Sequence, residues 1–216
     1  MSKQEGTRVR KDVARNRAAL LAAADRLLAT RGVDLTFHDV AEEAGLGVGT
    51  VYRHFEDRSE LLDALIDTRI ETLRTIVAAA AQHDDPVEGL REAVLGVCER
   101  QFEDRVTAQL LFMDSERHRK LAGERVLPLI VDLVDRVRAT GSARADLAAT
   151  DIPMILFVVS SLARATADVR GDLWRRYANL LLDGLISGDG DRGAPIPVPP
   201  TALEFGRLSH QIHYAP

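Results

Sequence analysis

Across 216 residues the sequence has one cysteine, Cys98, so neither an internal disulfide nor a multi-cysteine metal centre can form within it. That usage fits a reducing compartment, and the cytoplasm is the expected location. Aromatic residues are scarce at 5% and β-branched runs are short, while Ala, Leu, Arg and Asp dominate; the mix favours helix over sheet. No apolar run is long. The most apolar segment, 152–163, is broken by Ser160 and Ser161 and ends at Arg164, well short of the roughly 20 apolar residues of a membrane span, so no membrane partner is expected. The polar amino terminus has no apolar stretch of roughly 7 to 15 residues behind its charges, and no signal peptide is expected. Also absent are an HExxH pair, a nucleophile elbow and the glycine patterns of dinucleotide or phosphate-loop sites. The six histidines are scattered, with His210 and His213 near the carboxyl end. No enzyme activity, cofactor or metal is expected.

What is present is an ordinary globular balance, 46% hydrophobic and 28% charged, with a net charge of -5. The length suits one large domain or two small ones. The charge is unevenly placed. In the first 17 residues Lys3, Arg8, Arg10, Lys11, Arg15 and Arg17 outnumber Glu5 and Asp12, a local balance of +4. A local basic end, not the global sum, is what a polyanion feels.

Helical periodicity runs through most of the chain. Leu20, Ala23, Ala24, Leu27 and Leu28 give residues 12–31 one apolar face, with Gly32 as a stop. Thr36 to Asp39 resembles a capping box that opens a second helix, which Gly45 ends. A third short helix is expected from about Gly47 to His54, and a long one from Ser59, striped by Leu61, Leu62, Leu65, Ile66, Ile70, Leu73, Ile76 and Val77. Asp84-Asp85-Pro86 opens another, followed by an aromatic-bearing segment at 108–119. A helix over 123–139 carries Pro128 in its early turns or as a kink. Two apolar helices at 149–169 and 172–186 are divided by Gly171. From 188 onward the Gly- and Pro-rich composition cannot propagate a helix.

Two short helices joined by a glycine turn, placed after a longer supporting helix, describe a helix-turn-helix unit on physical grounds alone. Leu27, Leu28, Val33, Phe37, Val40, Ala41, Ala44, Leu46, Val51 and Phe55 would close its core, leaving Val48, Gly49, Thr50, Tyr52, Arg53 and His54 outward on the third helix. The stretch 32–55, with Gly49-Thr50-Val51-Tyr52 and then Phe55, resembles the amino-terminal domain of TetR/AcrR family regulators. The resemblance covers about the first 65 residues.

It implies an all-α protein, a three-helix helix-turn-helix head followed by an antiparallel helical bundle for ligand binding and dimerisation. The expected division is a basic flexible arm at 1–17, the head at 18–58, the bundle at 59–187 and a Pro/Gly-rich tail at 188–216. It further implies a homodimer on a palindromic double-stranded DNA operator, each third helix in a major groove. Carried over, Thr50, Tyr52 and His54 match positions that touch phosphates, Val48, Gly49 and Arg53 those nearest base edges, and Thr36 a helix start that faces a phosphate. One departure stands out: Gly47 occupies a place where the family often has serine.

For the bundle, the resemblance implies that the last two helices pair with those of a second subunit and that a small molecule enters the interior. Small residues Ser160, Ser161, Ala163, Ala165 and Ala178 suit close helix approach. Leu90, Val94, Cys98, Phe102, Gln109, Leu110, Phe112, Met113, His118, Phe157 and Trp174 are the candidates for the pocket, which points to a mainly apolar effector. Binding would shift the long fourth helix and release the operator, so that the protein acts as a repressor. The rival reading is a helical ligand-binding protein with a redox role at Cys98 or a buffering role and no DNA output.

Overall fold

The computed structural model describes residues 2–31, 35–103, 116–186 and 201. Among these there are nine helices and no strand: α1 (Ser2–Arg31), α2 (Phe37–Ala44), α3 (Val48–His54), α4 (Arg58–Ala80), α5 (Pro86–Glu103), α6 (Glu116–Arg125), α7 (Leu127–Ala139), α8 (Asp151–Thr166) and α9 (Leu173–Ile186). The all-helical class expected from composition is what the chain adopts. Apart from Thr201, the tail at 188–216 lies outside the described residues, as do Val33 and the segment 104–115.

The chain divides into two compact units after Thr68. The boundary falls inside α4 instead of before it, because only residues 55–57 separate α3 from α4 and the opening turns of α4 group with the head. A second difference concerns the amino end. The apolar face predicts a helix over 12–31, and α1 begins at Ser2. The segment has no proline, and its Lys, Gln, Glu and Arg residues are good helix formers that outweigh the single Gly6.

In the first unit, α1 supplies Leu20, Ala23, Ala24, Leu27 and Leu28, α2 supplies Val40 and Ala41, and α3 supplies Val51; all are buried together with Leu35 and Phe55. Phe37, Ala44 and Leu46 are half-buried. The Arg26–Glu43 ion pair, 2.7 Å, ties α1 to α2 on the exposed side, where such pairs contribute at most about 1 kcal/mol. Burial of the apolar face therefore dominates this packing.

In the second unit α5 packs on α7, α8 and α9, α8 packs on α9, and α6 packs on α7. The helix expected over 123–139 is instead two, broken at Val126, with Pro128 in the first turn of α7. Proline lacks the N–H that would bond back to residue 124 and its ring crowds that carbonyl, so the chain restarts there. Gly89 marks a close approach: a Cβ on it would lie 2.7 Å from the Ala80 carbonyl oxygen at the end of α4. Arg136 of α7 covers the same end by donating from Nη1 to the Ala81 carbonyl and from Nη2, at 3.1 Å, to that of His83. Carbonyls left over at a helix end thus find a partner.

Candidate nucleic-acid interface

The two turns that present α3 are set by local chemistry. Thr36 is extended, φ -107 and ψ 161, and its hydroxyl accepts from the Asp39 N–H at 3.2 Å while the Asp39 carboxylate accepts from the Thr36 N–H at 2.9 Å. The Thr36 hydroxyl also donates to that carboxylate, at 2.5 Å. Both halves of the capping box are present, so α2 starts where the sequence places it. At its other end Gly45 takes the left-handed conformation, φ 65, and Leu46 donates to the Ala41 carbonyl at 2.9 Å. A Cβ is disfavoured in that conformation, and the turn closes as a Schellman-type stop.

After this turn α3 is only seven residues long. It begins at Gly47 without a side-chain cap, the consequence of glycine standing where a serine would bond to the exposed amides. The helix is held by Val51, fully buried, and by Phe55, which the Arg17 guanidinium covers at 5.2 Å from the ring centroid. Its remaining side faces water. Val48 is 44% and Tyr52 63% exposed, Gly49 and Arg53 are exposed, and Thr50 and His54 are half-exposed. Tyr52 meets Phe37 edge-on, centroids 5.0 Å apart and planes at 73°, so one ring edge is fixed while the rest stands clear. Arg53 lies back along its own helix, donating from Nε to the Gly49 carbonyl and from Nη2 to the Thr50 hydroxyl, both at 3.1 Å. All the residues expected on this face are thus accessible, along with Thr36 at its edge.

The bundle candidates are only partly brought together. Leu90, Val94 and Cys98 lie buried along one side of α5. Phe102 stacks on Trp174 of α9, centroids 4.6 Å apart at 27°, and Arg175 covers the indole at 4.8 Å. Phe157 of α8 is half-buried. Gln109, Leu110, Phe112 and Met113 lie outside the described residues, as does the side chain of His118. Sequence reasoning missed Gln101 as part of this interior. Gln101 is buried and its side-chain carbonyl accepts from the Ser160 hydroxyl across α5 and α8. The signal was available, for Gln101 continues the buried stripe Leu90, Val94, Val97 on α5. Burial pushes the Cys98 thiol up to about 12, which keeps it protonated and unreactive at neutral pH. No described helix is long and apolar enough to cross a membrane.

Residues 20–65 match the sequence pattern of bacterial regulatory proteins of the tetR family. The HTH-type transcriptional regulator TtgR of Pseudomonas putida is 36% identical over 93 residues, which are 42% of this chain and 44% of that regulator. The HTH-type transcriptional regulator SAB2452 of Staphylococcus aureus is 37% identical over 68 residues, 31% of this chain and 37% of that one. The chain therefore spans less than half the length of the curated relatives it matches. Among solved structures, the TetR transcriptional regulator SCO0520 from Streptomyces coelicolor is 27% identical with a TM-score of 0.58, covering 79% of this chain and 98% of that one. The fatty acid degradation regulator FadR from Bacillus halodurans, 19% identical, has a TM-score of 0.67 over 79% of this chain and 96% of its own; at that identity the likeness is one of fold.

Proposed function

We propose that this chain, whose amino-terminal domain belongs to the tetR family of bacterial regulatory proteins, is a ligand-responsive, sequence-specific transcriptional repressor. The family is one of transcriptional regulators and not of enzymes. The observation that carries the reading is the α3 face. A short helix anchored by Val51 and Phe55 turns an exposed valine and a mostly exposed tyrosine to solvent beside Thr50, Arg53 and His54. Exposed apolar side chains on an anchored helix make sense against a major groove, where Val48 meets thymine methyls and polar neighbours meet phosphates. Thr36, Val48, Gly49, Thr50, Tyr52, Arg53 and His54 form the proposed DNA surface.

The bundle provides the control. Leu90, Val94, Cys98, Phe102, Phe157 and Trp174, with Gln109, Phe112 and Met113, are the proposed lining for a mainly apolar effector, and the Gln101–Ser160 pair adds a polar contact beside them. An effector that favours one arrangement of the bundle biases α4 and lowers operator affinity by the difference of its two binding energies.

A homodimer is supported by one stripe on each of α8 and α9, which pack on one another. On α8, Met154, Val158, Ser161 and Ala165 follow helical spacing, with Val158 49% exposed; on α9, Tyr177, Leu180, Leu181 and Gly184 do the same, with Leu180 51% exposed. Such contiguous apolar and small residues suit the same face of a second copy. Cytoplasmic location follows from the role.

The test is a titration of the full-length protein against DNA from upstream of its own gene at two salt concentrations, with an unrelated duplex as control. A sequence preference together with steep weakening in salt supports the reading. Equal affinity for both duplexes refutes it. Release of the preferred duplex by an apolar compound that binds the protein separates the regulator from a bundle without DNA output.

A further inference from the structure

The Arg53 side chain is built into α3 in a way that its exposure alone does not require. Long side chains on a helix lean toward its amino-terminal end, onto the residues three and four before them. Here that lean is completed by two hydrogen bonds, Nε to the Gly49 carbonyl and Nη2 to the Thr50 hydroxyl, both at 3.1 Å. A guanidinium has five N–H groups in a rigid fork. Two are spent on the helix itself, and three remain. The Thr50 hydroxyl, having accepted from Nη2, keeps its own proton for donation. The pair therefore offers mostly donors, three N–H groups and one O–H, beside a single remaining lone pair on the Thr50 oxygen.

An arginine that reads guanine extends its fork into the groove and presents two parallel N–H groups to one base. Arg53 has its Nε edge turned back on Gly49, so reaching a base in that manner would require breaking both internal bonds. We infer that Arg53 acts with Thr50 as a composite clamp on one DNA phosphate, and that sequence reading on α3 falls to the Val48 and Gly49 side. This assigns Arg53 to backbone anchoring instead of the base contact that family resemblance implies. The inference rests on the proposed reading of α3 as the DNA-facing helix.

The experiment uses the full-length protein and a randomised duplex library. Wild type, Arg53→Ala and Arg53→Lys each select their preferred duplexes. Affinities for the wild-type selection and for an unrelated duplex are then titrated between about 50 and 200 mM salt. The expected result is one consensus for all three proteins. Arg53→Ala should bind both duplexes about tenfold more weakly, with a salt slope reduced by about one phosphate per head, and Arg53→Lys should restore the slope. Thr50→Ala combined with Arg53→Ala should lose less than the product of the two single losses, since the two side chains serve one contact. A consensus that relaxes at one position while the salt slope stays constant would overturn the clamp in favour of base reading, and unchanged affinity in Arg53→Ala would overturn it as a contact of any kind. If wild type enriches no sequence, the DNA-reading proposal itself fails and this inference falls with it.

Discussion

At the scale of single residues, two side chains carry consequences that their exposure would not suggest. The Thr36 hydroxyl is exposed and matches a phosphate-facing position, yet it is already engaged twice by Asp39, accepting from its N–H and donating to its carboxylate. Its first task is to hold the start of α2. Thr36→Ala removes both bonds and is expected to cost about 0.5–2 kcal/mol of head stability, read by denaturant unfolding. Because the two side chains form one unit, adding Asp39→Ala should cost less than a second independent loss. Cys98 is fully buried, and burial alone pushes its thiol from 9.0 up to about 12. The folded pKa is the higher one, so the unfolded chain loses its thiol proton first as pH rises. The stabilisation is complete below about pH 9 and is lost progressively as pH climbs through the folded value. At neutral pH the thiol is therefore expected to resist alkylation until denaturant opens the bundle. Fast labelling of the native protein at pH 7 would instead revive the redox reading.

At the scale of helices, the sequence was legible where the cause is local. The capping box, the Gly45 turn and the α3 register all depend on residues within a few positions, and each appears where the pattern puts it. Pro128 allows either a tolerated early-turn proline or a kink, and the structure resolves this as a break at Val126. What sequence could not disclose depends on residues far apart in the chain. Ser160 meets Gln101 across 59 positions, and Gly89 has no local reason to be glycine; its neighbour is the Ala80 carbonyl, part of another helix. Two glycines thus have opposite expectations. Gly89→Ala forces a Cβ against backbone and is expected to destabilise the bundle by about 1–3 kcal/mol. Gly49→Ala meets nothing within 4 Å, and in a helix should stabilise the head by about 0.5–1 kcal/mol. If α3 lies in the groove as proposed, the same Gly49→Ala change weakens operator binding while thermal unfolding shifts upward. A gain in both would mean that DNA does not approach this face.

At the scale of the whole molecule, the net charge of -5 gives no general attraction for DNA, so affinity must come from the local face of each head. A single head has few contacts, and one short helix with Gly49 among its exposed positions and Gly47 at its start offers little hydrogen-bonding reach. Two heads on a palindrome multiply their binding, because the second engagement occurs at the high effective concentration set by the first. Operator affinity therefore depends on the proposed dimer more strongly than on any one side chain of α3. Leu180 is 51% and Leu181 38% exposed on α9, so a charge at either position leaves the monomer core untouched but is costly inside an apolar helix pairing. Leu180→Asp with Leu181→Asp is expected to sediment as a folded monomer with unchanged helicity by circular dichroism. Its affinity for a full palindrome should fall at least a hundredfold, toward the value for a single half-site, while its affinity for an isolated half-site stays as in wild type. A variant that remains dimeric would place the subunit contact elsewhere on the bundle, and a monomer with full palindrome affinity would break the link between dimerisation and operator binding.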